Sequence, residues 1–352
     1  MKRLTEQKIV LVTRPTRLAE LVIRFNTVSQ ARFYVEHQGV DFSDYLQEDE
    51  TYHGALVVTQ KLLAQFGRVQ TVDRGFLPNF VFGPDDTIVT LGQDGLVANT
   101  LKYLDGQPVV GVNPDPGRWD GQLLPFQVRD LGKILPEVFS KKRPIRSVTM
   151  AKATLNNGQT MYAVNDLFIG PKSHGSARYV IHSGDETERH SSSGVIISTG
   201  LGSTGWLKSL LTGANAVAES ARAQLTGCTR RPAVTTGNKA QTKDWQQFDD
   251  IPDQFVRRGA QQASRPVPPV TIEFPCDADY LYFTVREPFP TRNTGATVVF
   301  GRVTNDAPLV LLSQMAENGV IFSDGIEKDF LEFNSGTKAT IGVAEKQGRL
   351  VV

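Results

Sequence analysis

A chain of 352 residues, 40% hydrophobic and 21% charged, has the make-up of a soluble globular protein and the length of about two domains. A net charge of +1 gives neither nucleic acid nor a membrane surface a bulk electrostatic footing, so neither is expected as a partner. Two cysteines, Cys228 and Cys276, are too few for a disulfide framework or a zinc site and fit a reducing cytoplasm; no run approaches the roughly 20 apolar residues of a membrane span, and no leader is evident before the first strand.

Lys8–Thr13 reads as a buried strand, and helical periodicity covers Glu20–Ala31 and Gly54–Phe66. Val69–Val72, Asp86–Leu91 and Pro108–Asn113 read as further strands, with a helix over Leu96–Leu104. Strands alternating with helices predict a parallel, Rossmann-like α/β domain over residues 1–125. The texture then changes. Ile145–Leu155, Thr160–Val164, Ala177–His182 and Gly194–Ser198 are strand-like runs with few helices between them. Strands resume at Val270–Phe274, at Tyr280–Val285 and in short pieces over Gly319–Val352. Residues 126–352 are therefore expected to form a β-rich domain. Within it, residues 228–268, polar and rich in Gln, Arg and Pro, read as an inserted surface loop. Asp185, Glu186 and Glu188 read as a solvated hairpin tip. His174, His182 and His190 are irregularly spaced with no cysteine close by, so no metal site is expected there.

The most informative run is Gly194-Val-Ile-Ile-Ser-Thr-Gly200-Leu-Gly202-Ser-Thr-Gly205-Trp206. A short apolar strand leads into G-x-G-x-x-G and then into a helix start. Such a turn can aim backbone N–H groups at an anion and let a ligand approach closely; a plain structural glycine turn is the alternative. A dinucleotide-binding dehydrogenase would need an acidic residue about 20 positions on, at the end of the next strand. Glu219 has the spacing, but it lies in the alanine-rich helical stretch Ala214–Ala223 with no strand between. A nucleotide site is expected, a dehydrogenase is not.

Two other segments can belong to the same site. Leu91-Gly92-Gln93-Asp94-Gly95-Leu96 ends a parallel strand and starts a helix, the place where open α/β sheets bind ligands. Asp94 there can accept a hydroxyl proton, or it can hold a turn. Asn165-Asp166 follows a strand; Asn donates and accepts while the carboxylate accepts, which suits a ribose and a base edge, although Asn-Asp is also a turn signal.

With these residues in view the chain resembles the NAD kinases, most closely their mitochondrial-type branch and its bacterial relatives. The family's G-G-D-G-T loop is similar to Gly92-Gln-Asp-Gly-Leu96, its N-E/D pair to Asn165-Asp166, and its T-x-T-G-S-T-A-Y motif to Thr199–Trp206. The branch motif G-x-N-T-D-P-x-R resembles Gly111-Val-Asn-Pro-Asp-Pro-Gly-Arg118. Phe168-Ile-Gly170, Ser192-Ser-Gly194, Arg286-Glu-Pro288 and Thr16-Arg17 fit the same branch. Order and spacing agree over nearly the whole chain outside 228–268.

The resemblance implies an N-terminal Rossmann-like α/β domain followed by a β-sandwich-type C-terminal domain, with the chain end returning to the first. It implies transfer of the γ-phosphate of ATP to the 2′-hydroxyl of the adenosine ribose of NAD, giving NADP, with Mg²⁺ bridging donor oxygens. Asp94 would accept the hydroxyl proton. Asn165 and Asp166 would hold the adenosine part of NAD, with Thr204, Gly205, Trp206 and Ser209 near it, while Gly92, Gly95 and Ser203 would contact phosphates. A homodimer or larger homo-oligomer is implied as well. Three departures stand out. Gln93 replaces a glycine and is expected to strain a left-handed position by about 1–2 kcal/mol. Leu96 replaces a threonine and removes a hydroxyl. Trp206 replaces a tyrosine. A catalytically weak NAD-binding protein, or a kinase with another hydroxyl acceptor, are the alternatives. Asp324-Gly325 resembles a late family D-G element and reads equally as a hairpin turn.

Overall fold

The computed structural model describes residues 4–225 and 270–352, so Cys228 and the expected 228–268 loop lie outside the described residues. The chain divides into two compact units, Met1–Trp206 with Phe274–Val352, and Leu207–Glu273. In the second unit the helical stretch Leu207–Leu225 is accompanied by residues 270–273, where Lys208 pairs with Glu273 at 3.0 Å.

In the first unit, strands β1 (Lys8–Thr13), β2 (Arg68–Asp73), β3 (Thr87–Leu91) and β4 (Pro108–Asn113) lie parallel in the order β2-β1-β3-β4. Three helices connect β1 to β2: α1 (Arg17–Phe25), α2 (Val28–His37) and α3 (Ser43–Phe66). Helix α4 (Asp94–Leu101) connects β3 to β4. A two-residue strand β5 (Phe126–Gln127) and helix α5 (Leu131–Phe139) follow. Alternation along β1 explains the layering. Ile9 and Leu11 pack with Leu63 of α3 and Leu131 and Leu135 of α5 on one face, while Val10 and Val12 pack with Val97 and Leu101 of α4 on the other. A parallel sheet covered on both faces buries its inner strands, and β1, β3 and β4 are buried almost throughout, whereas the edge strand β2 is largely exposed.

The expected helices differ at their ends. Glu20–Ala31 is not continuous: Asn26, at φ 68, ends α1 in the left-handed region, and the Thr27 side chain accepts from Gln30 N to start α2. Helix α3 starts at Ser43, well before Gly54. Helix α5 falls in the stretch expected to be all-β. Its Leu131, Ile134, Leu135 and Val138 form one buried stripe, but Pro136 lies inside it and masked the helical pattern.

The rest of the first unit is antiparallel. Its strands are β6 (Ile145–Leu155), β7 (Thr160–Ala163), β8 (Asp166–Pro171), β9 (Ala177–Ser183), β10 (Glu186–Ser192) and β11 (Val195–Ser198). Helix α6 (Trp206–Leu225) begins at the end of this run. Strands β12 (Leu281–Val285), β13 (Phe300–Val303), β14 (Leu309–Ser313), β15 (Gly319–Ser323), β16 (Phe330–Glu332) and β17 (Lys338–Val351) complete the chain. One sheet has the order β13-β12-β11-β8-β15-β16. In the other, β10-β9-β14-β17 continues directly into β4-β3-β1-β2. The join is β17, a single 14-residue strand rather than short pieces. Its start pairs antiparallel with β14, and Arg349 and Leu350 pair parallel with Pro108 and Val109 of β4. Leu167, Ile169, Ile197 and Phe283 of one sheet and Tyr179, Ile181, Leu311 and Ile341 of the other share one core, which is a sandwich. The fold class is the expected one, a parallel α/β part followed by a β-sandwich.

Residues 270–274, expected as a strand, are irregular. Within its unit, Val270 O accepts from the Asn215 side chain rather than from a neighbouring strand. Glu188 is not part of a solvated tip. Its carboxylate accepts from Thr297 N, Val298 N and Thr297 Oγ1, at 3.1, 3.0 and 2.6 Å, and lies 2.6 Å from Nε2 of the buried His190. Only Asp185 and Glu186 stay exposed beside the Gly184 turn.

Candidate nucleotide site

From β1 the chain crosses to β2 on one side, and from β3 to β4 on the other, so the C-terminal ends of β1 and β3 flank a crevice of the kind where open sheets bind ligands. Tyr52 ties the two ends together. Its hydroxyl accepts from Arg14 N at 3.0 Å and donates to Leu91 O at 3.1 Å. The Arg14 guanidinium is buried against Glu48 at 2.8 Å, and its Nε has no partner among the described residues. Arg17 also binds Glu48, and Arg17 and Arg118 share Asp44 at 2.6 and 2.7 Å. Arg118 and then Arg17 hold the Asp44 carboxyl down to about 2. The sequence reading gave no role to Arg14, Glu48 or Asp44; partners some 30 residues apart leave no local signature.

Beyond β3, Gly92 donates its N–H to Val112 O at 3.2 Å, and a Cβ on it would stand 2.9 Å from Leu96 Cδ2. Gln93 is extended, with φ −110 and ψ 166. The expected left-handed strain is therefore absent, because any residue adopts that conformation. Asp94 and Gly95 open α4, and their N–H groups meet no acceptor among the described residues. Nothing lies within 4 Å of where a Gly95 side chain would be. Unpaired amides at a helix start are the local signature of an anion site.

Asp94 is half-buried, and its carboxylate accepts from Leu123 N at 2.7 Å and Gln122 N at 3.2 Å. That segment reaches it because Gly111 lacks a side chain: a Cβ there would be 2.1 Å from Leu123 O. Leu96, where a hydroxyl was expected to be lost, is a core residue packed with Val97, Leu123 and Leu124.

The glycine-rich turn packs onto Asn165-Asp166. Thr199 N donates to Asn165 O at 2.9 Å, and Thr199 Oγ1 to Val164 O at 2.6 Å. A Cβ on Gly202 would stand 2.2 Å from Asn165 O and 2.7 Å from Asp166 Oδ1; one on Gly200 would stand 1.8 Å from Pro275 O. The amides of Gly202, Ser203 and Gly205 bond Thr199 Oγ1, Thr199 O and Gly202 O. Gly200 and Gly202 thus serve close packing of backbone on backbone. Ser203 is buried and donates to Gly200 O at 2.7 Å, whereas Thr204 and Gly205 are exposed. The Trp206 ring stacks on Phe168 at 5.9 Å, with the Arg286 guanidinium 5.4 Å from its centroid. Ser209 is exposed on the helix of the second unit. Leu201 packs into the same cluster as Leu96, Leu123 and Val164, so the three sequence segments converge.

Asn165 is half-buried, and its side-chain amide makes no hydrogen bond to a described residue. The Asp166 carboxyl is buried, with Oδ1 unpartnered. Burial pushes it up to about 7; the nearby Asp324 charge adds to the shift and Ser198 opposes it. One pleat along β8, a cavity of about 250 Å³ is lined by Phe168, Trp206, Phe322, Arg286 and Lys172. A cavity of about 410 Å³ at the opposite, N-terminal edge of the parallel strands, beside Thr87 and Pro108, contains none of these groups.

No protein-family model matches the chain, and no curated protein sequence matches it. Solved structures do match. Yeast NADH kinase complexed with NADH superimposes with a TM-score of 0.52 at 14% identity, over 99% of this chain and 84% of that one. The chain has the fold of an NAD(H) kinase. An NAD kinase from Archaeoglobus fulgidus in complex with ATP superimposes at 0.49 and 13% identity, over 98% of this chain and 93% of that one.

Proposed function

We propose that the protein is an NAD kinase-like phosphotransferase of the mitochondrial-type branch, moving the γ-phosphate of ATP to the 2′-hydroxyl of the adenosine ribose of NAD. The observation that carries the reading is the convergence of Asp94, the unpaired α4 amides and Asn165-Asp166 around one apolar cluster, in a fold shared with yeast NADH kinase. Residues 1–125 supply the donor side and residues 126–352 the acceptor side. The amides of Asp94 and Gly95 hold donor phosphate oxygens beside Gly92. Asn165 and Asp166 hold the adenosine, near Thr204, Gly205 and Trp206.

Phosphoryl transfer asks mainly for positioning and charge neutralisation. The Asp94 carboxylate takes the proton of the 2′-hydroxyl, the ribose oxygen bonds to the γ-phosphorus, and the bond to the β–γ bridging oxygen breaks, releasing ADP and NADP. Each Asp94 oxygen already accepts one backbone amide and retains a second lone pair for the hydroxyl. Mg²⁺, when bound with the donor, would neutralise charge on its phosphates. A cytoplasmic homo-oligomer is part of the same proposal.

The test is NADP formation from ATP and NAD by the wild type beside Asp94→Asn. The expected result is turnover in the wild type and a loss of about 10²–10⁴-fold in the variant, with NAD binding kept. Folded wild type that makes no NADP above a no-enzyme control refutes the kinase reading. A second reading, dinucleotide binding with little turnover, is favoured by the engagement of both Asp94 oxygens with Gln122 and Leu123; saturable NAD binding without product selects it.

A further inference from the structure

Strand β15 ends at Ser323, and the next two residues are both left-handed: Asp324 at φ 54 and Gly325 at φ 72. The turn closes on itself through Ile326 N donating to Ser323 O at 3.0 Å, so the Asp324 side chain is not needed for it. Instead the carboxylate leaves the turn. It accepts from Val164 N at 3.1 Å on each oxygen, from Asn165 N at 2.6 Å and from Asp166 N at 3.3 Å. Asp324 N returns a bond to Asp166 O at 3.0 Å. Three successive amides gripped by one carboxylate fix both the direction and the tilt of the Asn165-Asp166 peptides.

The same turn is tied to the other half of the site. Lys102 directly follows α4, the helix that Asp94 begins, and it is buried. Its Nζ lies 3.1 Å from Ser323 Oγ and 3.2 Å from Asp329 Oδ2, and Tyr103 donates to Asp329 at 2.6 Å. One short helix therefore carries Asp94 at its start and the anchor of the Asp324 turn at its end.

We propose that Asp324 is a positioning residue for the dinucleotide acceptor: its carboxylate sets the Asn165-Asp166 backbone and supplies the charge that faces the Asp166 side chain. The proposal rests on the kinase reading above. The groups facing Asp166 are Ser198 on β11, the Gly202 backbone and Asp324, with Lys102 offsetting the Asp324 charge from behind. Burial raises the Asp324 carboxyl itself, while the three amides and Lys102 pull it back. Removing that charge lowers the pH at which Asp166 ionises.

The experiment uses the full chain as wild type, Asp324→Asn, Asp324→Ala and, as a control, the exposed Asp185→Asn. Kd for NAD is measured by calorimetry between pH 6 and 9, with KM for NAD, KM for ATP and kcat alongside. Asp324→Ala, losing every acceptor, is expected to weaken NAD by about ten-fold or more while leaving the ATP KM within about two-fold. Asp324→Asn keeps one oxygen for the amides, so its NAD affinity stays within about three-fold of wild type, while the midpoint of the pH dependence moves down by about half a unit or more. Asp185→Asn leaves that midpoint in place. Folded Asp324→Ala with unchanged NAD affinity overturns the proposal. If Asp324→Ala does not fold, an unmoved midpoint in Asp324→Asn overturns it. Wild type that binds no NAD ends both this proposal and the kinase reading, whereas wild type that binds NAD with indifferent Asp324 variants ends this one alone.

Discussion

Gly202→Ala isolates what the glycine-rich turn does. The added methyl would start 2.2 Å from Asn165 O and 2.7 Å from Asp166 Oδ1. Ordinary contact is more than 3 Å, so the two backbones must separate by about 1 Å. Forcing extra volume into a tight contact costs roughly 1–3 kcal/mol, read as a Tm lowered by several degrees. The functional cost is larger, because the displaced atoms belong to the pair assigned to the acceptor: a misplacement of about 1 Å costs on the order of 10²-fold in rate. Thermal unfolding with and without NAD, and kcat/KM for NAD, measure both. Gly213→Ala is the control. Gly213 lies inside α6 with nothing within 4 Å of the added methyl, so it should stabilise by about 0.5–1 kcal/mol. Gly202→Ala with unchanged Tm and unchanged kcat/KM would falsify the packing account, and the turn would then be free to move.

Two further outcomes follow from the backbone and from burial. Gln93→Gly places a glycine where the NAD kinase motif that the loop resembles has one, but Gln93 is already extended, so Tm should stay level or fall with a loss below about 1 kcal/mol, from added chain entropy; a gain of that size would mean that Gln93 is strained. Asp166→Asn should stabilise at pH 8 and lose that advantage below pH 4. The folded carboxyl, raised by burial from 3.8 to about 7, binds more protons than the unfolded one across that window. Stability from this group therefore falls as pH rises through the window, with a ceiling of about 4 kcal/mol; denaturant melts of both proteins at pH 4 and pH 8 that differ equally contradict it.

Strands β1, β3 and β4 are legible because each is a run of buried residues bounded by turn signals: Lys8–Thr13 and Pro108–Asn113 appear with the expected ends. The elements misread are those where one residue changes the local answer. Asn26 adopts a left-handed cap and splits a periodic stretch. Pro136 disguises a helix whose buried stripe is otherwise clear. Val270–Phe274 has strand-like residues, but no strand pairs with it among the described residues, and Val270 O accepts from the Asn215 side chain. Propensity states what a segment can do, and pairing decides what it does.

The candidate site divides along the same line. Asp94 and Asn165-Asp166 could be picked out because each lies in a short run whose types and order carry the chemistry. Arg14 and Glu48 could not, and Asp324, visible as a D-G element, read equally as a hairpin turn, since its grip on the amides of residues 164–166 exists only through partners far along the chain. The glycine motif is the instructive case, because its pattern was visible and its physical reason was different. G-x-G-x-x-G suggested amides aimed at an anion, yet those of Gly202, Ser203 and Gly205 are turned inward. What Gly200 and Gly202 provide is room for Pro275 and Asn165 to approach. At the start of α4 the amides of Asp94 and Gly95 meet no acceptor among the described residues. Leu96 explains how both arrangements hold together. It fills the space over Gly92 and belongs to the same apolar cluster as Leu201 of the glycine turn, so both loops of the proposed site rest on one core. On that geometry, putting a smaller polar residue at 96 would open a void in this cluster, to be read as a lowered Tm.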